Sequence, residues 1–217
     1  MKIYSIPKNC TTIIFDIDST LYTNANYAFE QVDVQVRHYA KLKGLTNDEA
    51  RKQIATYREH WAKTHNGQKI SLGNTLLAFD IPIEQSVEWR KELLEPKDFL
   101  SKDVRLISTL TELQKKYKLI CVTNNPVLPA FKTLEALGIE KIIPDIIGLD
   151  TCYKSKPAKE PFLLAVKQTY SEVTNCLSVG DRYDMDISLA LELGMGGVLV
   201  SGVEDIYKLP EVLKEAE

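Results

Sequence analysis

The stretch Thr11-Thr12-Ile13-Ile14-Phe15-Asp16-Ile17-Asp18-Ser19-Thr20-Leu21-Tyr22 runs from a β-prone apolar segment into two carboxylates on alternate residues, then two hydroxyls. Strand geometry puts residues two apart on one face. Asp16 and Asp18 are therefore expected side by side at a strand end. Neighbouring carboxylates repel unless a cation lies between them or one keeps its proton. Either arrangement is chemistry. An acidic turn would explain Asp18-Ser19 taken alone, so the rest of the chain has to decide.

Four more apolar segments read as strands after Thr12 to Phe15: Leu119 to Thr123, Asp145 to Gly148, Cys176 to Val179, and Gly197 to Val200. They lack clean alternation, as strands buried on both faces do. Helical spacing fills the intervals. Leu106, Leu110 and Leu113 share one face. Phe131, Leu134, Ala136 and Leu137 precede Gly138, a helix stop. Phe162, Leu163, Val166 and Tyr170 form a third set, and Ile187, Leu191 and Leu193 a fourth. Strand and helix in alternation predict an α/β fold, a doubly wound parallel sheet with helices on both faces.

The alternation stops between Thr23 and Pro96, where only helical periodicity remains. Phe29, Val32, Val36 and Tyr39 recur at helical intervals, and Thr46-Asn47-Asp48-Glu49 has the form of a capping box. Ala50, Ile54, Tyr57 and Trp61 follow on one face, up to Asn66-Gly67, with further helices expected over Leu72 to Phe79 and Ile83 to Leu94. The expected organisation is an α/β core over 1–22 and 97–217 with a helical subdomain over 23–96 inserted at the sheet edge where such folds bind ligands.

A chain of 217 residues with 44% hydrophobic and 26% charged content can bury a substantial core. Its net charge of −3 and scattered basic residues give no footprint for nucleic acid or an anionic membrane. The apolar runs are strand-length, and Met1 to Pro7 lack the apolar core of a signal peptide. A cytoplasmic protein is expected. Cys10, Cys121, Cys152 and Cys176 show no metal-ligand spacing and read as free thiols. His38, His60 and His65 share no ligand pattern, which argues against zinc.

In a parallel sheet, functional groups collect beyond the carboxyl ends of the strands. Those positions hold Asp16, Asp18 and Thr20, then Thr123, Asn124 and Asn125, then Lys154-Ser155-Lys156-Pro157, then Gly180-Asp181 through Asp186. The set resembles the four motifs of the haloacid dehalogenase superfamily, in order and over essentially the whole chain. DxDxT stands as Asp16-Ile17-Asp18-Ser19-Thr20, the strand ending in a hydroxyl as Val122-Thr123, the lysine as Lys156, and GDxxxxD as Gly180-Asp181 to Asp186. The helical insertion resembles that superfamily's cap of the first type, and Leu21-Tyr22 is similar to the pyrimidine 5′-nucleotidase branch.

The resemblance implies a phosphatase acting on a small phosphomonoester with Mg²⁺ as cofactor. Asp16 would be the nucleophile, forming an aspartyl-phosphate. Asp18 would act as acid and then base. Asp16, Asp181 and the backbone carbonyl of Asp18 would be Mg²⁺ ligands, with Asp186 behind them ordering water or the lysine. Thr123, the Asn124 backbone N–H and Lys156 would bind the phosphoryl oxygens. A sugar phosphomutase uses the same motifs but would need an additional cap residue that the sequence does not single out. A non-catalytic phosphate-binding regulator would be expected to have lost an acid or the lysine, and every position here is filled. Tyr57, Trp61 and Tyr27 are expected in the core of the cap, Asp184 as a solvated acid at a helix N-terminus, Arg182 either near substrate or in a salt bridge at that N-terminus, and Asn66-Gly67 with Leu72-Gly73-Asn74 as a specificity loop. Substrate identity and oligomeric state are not written in these patterns.

Overall fold

The computed structural model describes residues 1–67 and 70–216. Its strands are β1 (Lys2–Ser5), β2 (Thr12–Phe15), β3 (Lys118–Val122), β4 (Ile146–Ile147), β5 (Cys176–Gly180) and β6 (Gly196–Leu199), in the order β1-β6-β5-β2-β3-β4. The five expected strands are present within a residue or two of their expected limits and pair in parallel. β1 was not anticipated. It pairs antiparallel with β6 at the sheet edge, and its residues are largely exposed, so it lacks the continuous apolar run that marks a buried strand.

Two compact units make up the chain, 1–25 with 95–217, and 26–94. The second unit contains α1 (Ala25–Lys43, beginning one residue earlier), α2 (Asn47–Thr64), α3 (Leu72–Leu77) and α4 (Ile83–Leu93). Thr46 caps α2 through the reciprocal hydrogen bonds with Glu49 that the capping box requires. Val36, Tyr39, Ala40, Ala50, Ile54, Leu72, Leu76, Ile81 and Trp89 form its core. Phe29 and Val32, expected on the buried face of α1, are exposed, and Val34 and Ala40 take the interior positions instead. Tyr57 and Trp61 are half-buried. Leu72, Gly73 and Asn74 form the first turn of α3, capped by Ser71, and not a loop.

In the first unit, α5 (Val104–Gln114), α6 (Val127–Leu137), α7 (Leu149–Cys152), α8 (Lys159–Gln168) and α9 (Ser188–Glu192) connect the strands. α6 ends at Gly138 with φ 78°, a left-handed stop that a side chain would strain. Tyr170 falls beyond the end of α8 and is 93% exposed, so only Phe162 and Val166 of its predicted set are buried. One core cluster joins Ile14, Ile120, Val122 and Ile147 of the sheet to Phe162, Ala165 and Val166 of α8. Truncating Phe162 there to Ala would cost about 3–5 kcal/mol.

The chain enters the sheet's middle at β2, builds outward through β3 and β4, and returns to β5 on the other flank. The carboxyl end of β2 is thus the topological switch point, where doubly wound sheets place their ligands. Phe15 is level with Cys121 of β3 and Val179 of β5, so Asp16, Thr123 and Asp181 come to the same rim.

Candidate active site

Lys156 joins the acids of this rim. Its ammonium donates to Asp16 Oδ1 and to Asp186 Oδ1, both at 2.6 Å. All three side chains are at most 10% exposed. Burial of an ammonium is costly unless it is paired and hydrogen-bonded. Desolvation would drag the Lys156 pKa down, but the two carboxylates hold it well above its ordinary value.

The acids are not fully compensated in return. Among the described residues, Asp16, Asp181 and Asp186 form the one group of three potential metal-ligating side chains, with carboxylate oxygens within 4.8 Å of one another. Burial pushes the Asp16 carboxyl up to about 8, against the pull of Lys156, with Asp186 and Asp18 adding to the rise. Asp181, half-buried, is raised to about 6 by desolvation and by Asp186. One lysine among three acids leaves a deficit of positive charge. Converging hard oxygen donors with that deficit fit a small divalent cation such as Mg²⁺.

Each side chain is held by its own neighbourhood. The Asp16 N–H donates to Val179 O, fixing the end of β2 against β5, and Thr20 Oγ1 lies 3.3 Å from Asp16 Oδ2. Asp186 is approached on both oxygens, by Lys156 and, at 3.0 Å, by the Arg182 N–H. Its carbonyl accepts from the buried Ser178 hydroxyl at 2.7 Å. The backbone over Tyr183–Ile187 makes one wide π-type turn, which brings Asp186 back beneath Gly180. A Cβ at Gly180 would lie 2.5 Å from Asp186 Oδ2, so the glycine makes room for that carboxylate.

The three residues that end β3 divide their work. Thr123 is buried, and its hydroxyl accepts from the Asn125 N–H at 3.1 Å. The Asn124 amide straps the lysine loop, accepting from the Lys156 N–H at 2.7 Å and donating to the Lys156 carbonyl at 3.2 Å. The Asn125 amide donates to Asp18 Oδ2 at 2.8 Å, and the Tyr22 hydroxyl donates to Asp18 Oδ1 at 2.6 Å. Asp18 is therefore at the rim but outside the three-carboxylate cluster. Exposed Asp184 pairs with Arg182 at 2.9 Å. The strapping by Asn124, the Asn125 contact and the Ser178 support were not read from the sequence.

A doubly wound sheet with a buried lysine among three carboxylates at its switch point has the form of an enzyme's ligand site. Residues 10–194 match the haloacid dehalogenase-like hydrolase family, and the chain belongs to it. It is 25% identical to phosphoglycolate phosphatase of Escherichia coli K12, over 89% of this chain and 90% of that protein. It is 27% identical to glyceraldehyde 3-phosphate phosphatase of Methanothermobacter thermautotrophicus, over 87% and 84%. Among solved structures, a HAD phosphatase from Thermococcus onnurineus superimposes with a TM-score of 0.65 at 21% identity, covering 94% of this chain and 97% of that one. That likeness extends to the fold.

Proposed function

We propose that the protein is a Mg²⁺-dependent phosphomonoesterase that works through an aspartyl-phosphate on Asp16. The observation that carries this reading is the Lys156 ammonium, 2.6 Å from both Asp16 and Asp186, beside the Asp181 carboxylate. A bound Mg²⁺ would neutralise the repulsion between a phosphate dianion and the attacking carboxylate. Asp16, Asp181 and the Asp18 carbonyl would hold it. Asp186 already accepts Lys156 and the Arg182 N–H, which suits it to anchoring the lysine.

Asp16 attacks phosphorus, the ester oxygen leaves, and Asp18 gives that oxygen a proton. Asp18 then takes a proton from the water that cleaves the aspartyl-phosphate, restoring Asp16 and releasing phosphate. Lys156, Thr123 and the Asn124 N–H bear on the phosphoryl oxygens whose charge builds in both steps. The helical unit is read as a cap of the first type, from which substrate selection comes. The substrate is a small phosphomonoester, and Leu21-Tyr22 favours a nucleoside 5′-monophosphate. The named substrates of the relatives, phosphoglycolate and glyceraldehyde 3-phosphate, belong on the same test panel.

Phosphate release from nucleoside monophosphates, sugar phosphates and phosphoglycolate, with and without Mg²⁺, tests the proposal. Release is expected only with Mg²⁺, and Asp16→Asn should abolish it while the protein stays folded. Full turnover by Asp16→Asn would remove Asp16 as nucleophile. Failure on every nucleotide, with release from another ester, would remove the nucleotidase assignment alone. Isomerised hexose phosphate without phosphate release would favour the mutase.

A further inference from the structure

We infer that Tyr22 and Asn125 are positioning residues for Asp18, a two-sided clamp that aims its carboxyl at the leaving group. The inference rests on Asp18 being the acid of the proposed reaction.

Both Asp18 oxygens are taken by donors from different parts of the chain. Tyr22 gives its hydroxyl to Oδ1 at 2.6 Å and the Asn125 amide reaches Oδ2 at 2.8 Å. Each donor is itself fixed. Thr20 and Leu21 bond back to the Ile17 carbonyl, a tight turn that carries Tyr22 round to within reach of Asp18. Tyr22 is only 3% exposed, so its ring is packed in place and not free in solvent. The Asn125 N–H bonds to Thr123 Oγ1 at 3.1 Å, and its carbonyl accepts the Leu149 N–H at 2.9 Å. Asn125 thus approaches Asp18 from a backbone pinned on both sides.

Asp18 is half-buried and does not belong to the three-carboxylate cluster, nor does Lys156 bond to it. Water could satisfy a carboxylate with that exposure. Two preset donors add direction instead, because a short side chain held at both oxygens has one orientation. Direction is what proton transfer to a departing oxygen needs, since the donor must meet the leaving atom at hydrogen-bond distance. Asn124 meanwhile straps the lysine loop. The adjacent amides at the end of β3 therefore set both flanks of the reaction, Lys156 on one side and Asp18 on the other.

Leaving-group dependence separates aiming from general support of the fold. A p-nitrophenolate departs without a proton, whereas an alkoxide needs one. The test measures kcat/KM, which reports through formation of the aspartyl-phosphate, for p-nitrophenyl, phenyl and benzyl phosphate with Mg²⁺. Tyr22→Phe, Asn125→Ala, the double variant and Asp18→Asn are compared with wild type. Tyr22→Phe and Asn125→Ala should each lose about tenfold on benzyl phosphate and less than about twofold on p-nitrophenyl phosphate. The double variant should approach the loss shown by Asp18→Asn, of order 10²–10⁴-fold. Asn125→Ala keeps the test decisive should Tyr22→Phe fold poorly, which thermal unfolding reports. Uniform losses across the three esters, or none, in Tyr22→Phe and Asn125→Ala, while Asp18→Asn shows the steep dependence, would overturn the clamp and leave the acid in place. An Asp18→Asn protein with no leaving-group dependence would overturn the acid assignment and the clamp together. Wild type inert on all three esters would overturn the phosphatase proposal on which both stand.

Discussion

Two ionic clusters in this chain use similar residues to opposite ends. At the sheet rim, one buried lysine faces Asp16, Asp181 and Asp186. In the helical unit, Asp33, with a side chain 4% exposed, is gripped by Arg37 at 2.5 Å and by Arg51 at 2.8 Å, with Glu30 and Asp48 closing the outer sides. Hydrogen bonds from Arg51, followed by those from Arg37, outweigh burial and hold the Asp33 carboxyl below its ordinary range. Burial and mutual repulsion raise Asp16 and Asp181 instead. The helical cluster has met its own electrostatic needs. The rim cluster has not, and a site that remains short of positive charge is suited to taking up a cation and reacting with an anion.

The contrast should be largest in turnover. Lys156→Met removes the buried cation that pairs with Asp16 and Asp186 and should lower kcat by about 10²–10³-fold, the usual loss when a charge-stabilising donor is removed. Arg51→Met removes a cation from the helical cluster and should leave kcat within about twofold while lowering Tm. Steady-state kinetics and thermal unfolding on both variants check the pair. Equal losses of turnover would erase the distinction between the clusters.

Metal binding comes next. Mg²⁺ at a hundred times its Kd should stabilise wild type by about 2.7 kcal/mol, since a ligand that binds only the folded state shifts unfolding by mass action. Asp181→Asn should abolish most of that shift, and Asp33→Asn should retain it. Differential scanning fluorimetry over a Mg²⁺ titration reads both.

Asp33→Asn should instead destabilise the helical unit by about 2 kcal/mol, less than the 3–5 kcal/mol of a fully buried pair because both arginines reach water. The pH dependence follows from the direction of the shift. A carboxyl with a lowered folded pKa contributes its full stabilisation above its unfolded value, near 4, and loses it as pH falls through the folded value. The stability gap between wild type and Asp33→Asn should therefore be flat above about pH 5 and shrink below pH 4, as measured by denaturant unfolding.

The two units also differed in how much of them could be read in advance. Strand ends are legible because an apolar run that stops at Asp16, Thr123 or Asp181 carries the information locally, and parallel topology brings those ends together. Contacts between side chains distant in sequence are not local. Nothing near Asn125 announces a bond to Asp18, 107 positions away, and Ser178 is one more small residue in a buried strand. β1 was missed because an exposed edge strand carries no apolar run. In the helical unit, periodicity located α1 and the buried Val36 and Tyr39, but it put Phe29 and Val32 on the same face. Phe29 and Val32 fit the spacing as well as Val34 does, and only packing separates them.

Backbone strain offers the smallest and most local comparison. Ser19, between Asp18 and Thr20, has φ 60°, and Asp80 in the helical unit has φ 63°. Left-handed backbone costs an ordinary L-residue about 1–2 kcal/mol, less for Asp, whose short side chain can bond locally. Glycine removes that cost but adds conformational entropy to the unfolded chain, about 0.5–1 kcal/mol. Ser19→Gly should therefore stabilise by up to about 1 kcal/mol and Asp80→Gly by close to zero, a Tm difference of about 2–4 °C between them. Turnover should fall several-fold in Ser19→Gly alone, because a freer backbone at 19 loosens the attachment of Asp18 to the end of β2, whereas Asp80 lies in the helical unit. Stabilisation with undiminished kcat would mean that the strain at Ser19 is tolerated and not used.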